Sequence, residues 1–104
     1  FVHTTHNEIF YAETSDPSVI AIVREELKKP LADRSLHMNG RIDRGANGPN
    51  GKWSWYYIAN EWTLAEMSME LCDSWPSYVE ENLDTWLEEV GSLCPWASRV
   101  SREL

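Results

Sequence analysis

A block of β-prone residues, 35–72, lies between two amphipathic stretches that read as helices, and this arrangement most constrains the fold. Residues 35–43 (SLHMNGRID) alternate, with Leu36, Met38 and Ile42 on one side and His37, Asn39, Arg41 and Asp43 on the other. Gly40 in the middle of that run predicts a bulge or a close backbone approach. A turn-rich segment follows, from Arg44 through Gly45, Asn47, Gly48, Pro49 and Gly51 to Lys52. Residues 53–59 (WSWYYIA) are strongly β-prone, and residues 63–72 alternate again, with Ala65, Met67, Met69 and Leu71 opposite Glu66, Ser68 and Glu70.

The flanking helices carry their own boundary signals. Asp16 is a good N-cap and Pro17 suits the first helical turn, where its missing N–H costs nothing. Val19, Ile20, Ile22, Val23 and Leu27 form an apolar face; Arg24, Glu25, Glu26, Lys28 and Lys29 form the wet side, and Pro30 stops the helix. The second helix starts near Ser77, which makes a capping box with Glu80. It buries Val79, Leu83, Trp86, Leu87 and Val90, exposes Glu80, Glu81, Asp84, Glu88 and Glu89, and ends at Gly91. Residues 8–13 read as a first strand, residues 97–101 as a short last one, and residues 1–7 as a loose start. The expected order is β-α-β-β-β-α-(β). It forms a single α+β domain over residues 1–104, with a mostly antiparallel sheet of four to five strands and two helices on one face.

Charge narrows the function. With 17 acidic and 9 basic residues the formal net charge is -8. Nucleic acid and anionic membrane surfaces are poor partners for such a chain, because both need clustered Lys and Arg. No apolar run is long enough for a transmembrane helix. The charge favours solubility, and a monomer is expected. A start at Phe1 rather than Met is compatible with a removed N-terminal segment. Cys72 and Cys94 bracket the second helix, and read either as two free thiols or as one disulfide. Two cysteines do not make a structural zinc site, and neither a metal nor a cofactor is expected. His3 and His6 read as adventitious metal ligands at most, and the acidic helix face as a solvated surface.

Catalytic patterns are sparse. No G-x-S-x-G motif accompanies the serines, and His37 is the one histidine outside the start. On a strand, Glu66 and Glu70 would lie about 13 Å apart. That exceeds the separation of about 5–10 Å that glycosidases use. The polar strand face, His37, Asn39, Arg41, Glu66 and Glu70, reads as a solvated face or a shallow recognition surface. Trp86 belongs to the core. Trp53, Trp55, Trp62, Trp75 and Trp96 are many to bury in so small a chain, and Trp53, Trp55 and Trp62 are candidates for aromatic contacts. Residues 41–52 form a glycine-rich, cationic loop with Arg41, Arg44, Asn47 and Lys52 as its contact residues.

The strings Leu36-His37-Met38-Asn39-Gly40, Trp53-Ser54-Trp55, Glu70-Leu71-Cys72-Asp73 and Cys94-Pro95-Trp96-Ala97-Ser98-Arg99-Val100 resemble a family of small secreted domains seen in actinobacteria and social amoebae. The likeness runs from about Phe10 to the end of the chain. It implies an exported domain with Cys72 paired to Cys94, and it brings no catalytic residues. The expectation is therefore an extracellular, non-enzymatic binding module. Its most concrete form is an inhibitor of an extracellular protease that presents loop 41–52 with Arg41 or Arg44 in the specificity pocket. A carbohydrate- or cell-surface-binding domain is the alternative, and a small hydrolase centred on His37 comes third.

Overall fold

The computed structural model describes residues 1–45 and 50–104. Its elements are β1 (Val2–His3), β2 (Glu8–Ile9), α1 (Pro17–Leu27), β3 (His37–Arg44), β4 (Trp55–Ala65), α2 (Pro76–Glu81), α3 (Leu83–Glu89), β5 (Ser92–Leu93) and β6 (Ser98–Arg99). The fold is α+β, the described strand pairs are all antiparallel, and Cys72 is bonded to Cys94.

The strands divide between two three-stranded sheets, ordered β2-β1-β6 and β4-β3-β5, rather than joining one sheet. The cause lies in residues 1–13, which are not loose. Phe1 stacks on Phe10 at 5.3 Å and meets Trp62 edge-on at 5.7 Å. Trp53 Nε1 donates to Ile9 O and Trp62 Nε1 to Glu13 O, so buried indoles hold this segment by its carbonyls. Thus anchored, β1 becomes the central strand of a small sheet and captures β2 and β6.

α1 forms as its local signals dictate. Asp16 Oδ1 accepts from Ser18 N at 2.9 Å, and Pro17 occupies the first turn. The wet side differs from expectation at Glu26, which is only 2% exposed. Its Oε2 accepts from Ser35 N and Leu36 N, and its Oε1 from Lys29 Nζ at 2.9 Å. A charge can be buried there because three donors replace its water. α1 packs on β4, and α3 on β3.

The expected second helix is two. α2 and α3 break at Asn82, whose backbone (φ -123°, ψ 32°) is not helical. The expected capping box does not form. Ser77 N donates to Glu8 Oε1, and Glu80 Oε1 accepts from Ser54 N at 2.6 Å, so each partner is used by a distant strand or loop instead. Gly91 ends α3 with φ +73°, the left-handed conformation that favours glycine.

The larger sheet is one-sided. Met38, Gly40 and Ile42 on β3 pair with Leu64, Trp62 and Tyr57 on β4, and these side chains line the core. Gly40 is required by close approach, since a Cβ there would lie 2.3 Å from the Cβ of Trp62. The register shifts between Gly40 and Ile42, where β4 bulges out. Asn60 takes a left-handed φ of 65° in that bulge, and its side chain bonds Thr14 and Ser15 at 2.7–3.0 Å. The sequence pattern splits 53–59 from 63–72, but one bulged strand spans the join.

Candidate recognition surface and the His37–Ser68 cleft

β4 ends at Ala65, opposite His37, the first residue of β3. Beyond that pair no partner strand continues, so the alternation of residues 66–72 has nothing to pair with. The chain turns away and runs through a short 3-10 turn, Glu70–Cys72, to the disulfide. Glu66 and Glu70 therefore do not share a strand face with His37 and Asn39. The expected polar face survives only as Asn39, Arg41, Asp43 and Thr63, on the solvent side of the sheet.

The departing segment exposes its apolar residues. Met67 is 88% exposed, Met69 70% and Leu71 67%. The chain at 94–99 lies alongside. The Cys72 and Cys94 Cα atoms are 5.2 Å apart, Cys94 N donates to Cys72 O at 2.8 Å, and Asp73 Oδ1 accepts from Trp96 N at 2.8 Å. Trp96, 40% exposed, thus stands next to the segment, and Arg99 Nη1 secures its turn by donating to Trp96 O and Ser98 O.

Under this surface lies a cleft of about 310 Å³, walled by Met67, Trp96, Glu66 and Arg99. His37 and Ser68 meet at its floor, with Nε2 and Oγ 2.6 Å apart. His37 is only 4% exposed. Burial, reinforced by the Arg99 charge, holds its pKa below the ordinary histidine value, and Asp73 opposes this only in part. The imidazole is therefore neutral at pH 7.

The other expected site residues fall elsewhere. Arg41 and Arg44 lie on β3 rather than on a presented loop; Arg41 pairs with Glu61 at 3.3 Å, and Arg44 with Asp84. Lys52 is exposed, its ammonium 5.0 Å over the Trp53 ring. Asn47, with Gly48 and Pro49, lies outside the described residues. Trp53, Trp55 and Trp62 are buried rather than available for contacts. A small chain accommodates them because Trp53 stacks on Trp55, Trp55 packs against Phe10 and Tyr57, and Trp62 meets Phe1, with centroids 5.7–6.3 Å apart. His6 stacks on Trp75 at 4.3 Å and gives its backbone N–H to His3 Nδ1. Sequence reasoning missed Ser68, and it named Trp96 among the tryptophans too many to bury without placing it at this surface. Ser68 lies 31 residues from His37, in no motif, and the signal for the surface was an apolar alternation running on past the strand that could pair with it.

A family model described as the BP-74 N-terminal domain matches residues 1–104. The chain belongs to this family. No curated protein and no solved structure matches it. In this member of the family, the surface built by Met67, Met69, Leu71 and Trp96 is the principal exposed apolar feature of the described residues near the cleft.

Proposed function

We propose that the domain is an extracellular protein-binding module whose contact surface is the ridge Met67, Met69 and Leu71 with Trp96 beside it. The observation that carries this reading is the exposure of three consecutive alternate apolar side chains, each at least two-thirds exposed, on a segment fastened at one end by a disulfide. Large apolar groups gathered on a rim of polar residues mark interaction sites. Methionine adapts its shape to a partner, and the aromatic Trp96 supplies a stiff anchor. Glu66 and Glu70 interleave with the ridge in an overall acidic chain. The partner that fits is therefore an apolar protein segment carrying basic residues; a second copy, equally acidic, is repelled. The disulfide supports an oxidising, extracellular setting.

The protease-inhibitor version draws no support from Arg41 and Arg44, because both guanidinium groups are held by carboxylates on or near the sheet. The carbohydrate version loses its three stacking tryptophans to the core.

Selection of a random peptide library on the immobilised, oxidised domain tests the reading. Enriched peptides should combine apolar and basic residues. They should lose at least about tenfold in affinity, about 1.4 kcal/mol, for a Met67→Ser, Met69→Ser, Leu71→Ser variant whose melting temperature is unchanged. No enrichment, or equal binding to the variant, would sink the proposal.

A further inference from the structure

We propose that Ser68 is a nucleophile, with His37 as its general base, toward small acyl esters that enter the cleft between Met67 and Trp96. This departs from the leading expectation of a non-enzymatic domain, gives the third expectation, a hydrolase centred on His37, a nucleophile, and does not depend on the binding role of the ridge. The pair has the geometry such chemistry needs: Oγ and Nε2 are 2.6 Å apart, within the reach of direct proton transfer. Ser68 sits outside any helix or strand, so its hydroxyl is not committed to capping or to a ladder. It is half-buried, with the imidazole enclosed behind it and the cleft in front. A purely structural histidine of this burial would be satisfied equally well by a backbone carbonyl. Here its partner is instead a hydroxyl that lines a cleft. With its proton on Nδ1, the neutral imidazole presents Nε2 as the acceptor for the Ser68 O–H. Met67 and Trp96 offer apolar walls to an acyl chain. Arg99 places a positive charge in the same cleft, where the developing oxyanion would gain from it.

The step balances without a cofactor. The Ser68 Oγ forms a bond to the acyl carbon as its proton passes to His37 Nε2. The tetrahedral adduct then collapses, the bond to the alcohol oxygen breaks, and His37 returns the proton to that oxygen. Water repeats the sequence on the acyl-serine, releasing the carboxylic acid and restoring Ser68.

The experiment is labelling of the intact, oxidised domain with an alkyl fluorophosphonate, read by intact mass and peptide mapping. A single adduct at Ser68 is expected. Its rate should reach a plateau at neutral pH and fall in acid with a midpoint below the usual histidine value of about 6.5. Arg99, Asp73 and Glu66 are the charged groups facing the pair. His37→Gln should slow labelling by about 100-fold, and Ser68→Ala should abolish the adduct in a domain that stays folded by circular dichroism, at the cost of the stability its bond to His37 supplies. Absence of an adduct, an adduct on another residue, or a rate that ignores pH from 8 down to the onset of acid unfolding overturns the proposal. The wild-type pH profile decides the matter even if His37→Gln fails to fold.

Discussion

Glu26 is enclosed, only 2% exposed, and its carboxylate ties segments of the chain together. It joins the last turn of α1 to the chain entering β3 through two backbone N–H groups, and it pairs with Lys29. Burial by itself would raise its pKa. The Lys29 hydrogen bond and charge, with the N–H groups of Leu36 and Ser35, outweigh that and hold the carboxyl below its ordinary value. Glu26→Ala removes the acceptor of two part-buried N–H groups, and should cost about 2 kcal/mol in urea unfolding. A loss under about 1 kcal/mol would mean that water reaches the site. The residue was misread from sequence for a definable reason. Helical periodicity places it among charged neighbours, and nothing local reveals that residues 34–36 fold back over it. Arg34 completes that return by donating to Val100 O at 2.8 Å.

At the scale of elements, the legible ones were those whose signals are local. Asp16 and Pro17 start α1 through contacts within a few residues, and Gly40 marks a bulge because no side chain fits against Trp62. β4 shows the limit. Its alternation continues to Cys72, but a strand is as long as its partner, and β3 begins at His37. The segment beyond Ala65 is then held chiefly by the disulfide and by the Ser68–His37 bond. The cross-link spans 22 residues. Closing a loop of that size should contribute about 3 kcal/mol by restricting the unfolded chain. Reduction with a small thiol, followed by urea unfolding, should show that loss. It should also quench the fluorophosphonate reaction at Ser68, since the segment carrying that residue is released. Unchanged stability after complete reduction would contradict this account of the staple.

For the molecule as a whole, acid stability follows from two enclosed histidines. Burial lowers the pKa of His3, with His6 adding to the effect against Asp73 and Glu8, and burial with Arg99 lowers that of His37. In both cases the unfolded chain binds a proton more readily than the folded one. Their contribution is therefore complete above the unfolded value, about 6.5, and is lost as pH falls toward the folded values. Glu26 and Asp16 have folded values below their unfolded ones, so their contributions persist through that range and disappear in stronger acid. The urea midpoint should consequently fall between pH 7 and pH 5 and fall again below pH 4. Measurement at 0.15 M salt, where the screening length is about 8 Å, limits the opposing relief of net charge. A midpoint that rises toward pH 5 would overturn this assignment.

From sequence alone followed the α+β class, the antiparallel pairing of the central strands, the start and stop of α1, the glycine stop after α3 and the pairing of Cys72 with Cys94. These depend on periodicity and caps, which act over a few residues, or on the resemblance that implied the cross-link. Tertiary structure alone decided that residues 1–13 are pinned by indole N–H groups, that Trp53, Trp55 and Trp62 are core, and that Glu26 is enclosed. It also decided that the chain after Ala65 leaves the sheet, bringing Ser68 to His37 and Met67 beside Trp96. Each of these turns on which distant segment satisfies a polar group or covers an apolar one, and pattern along the chain carries no record of that choice.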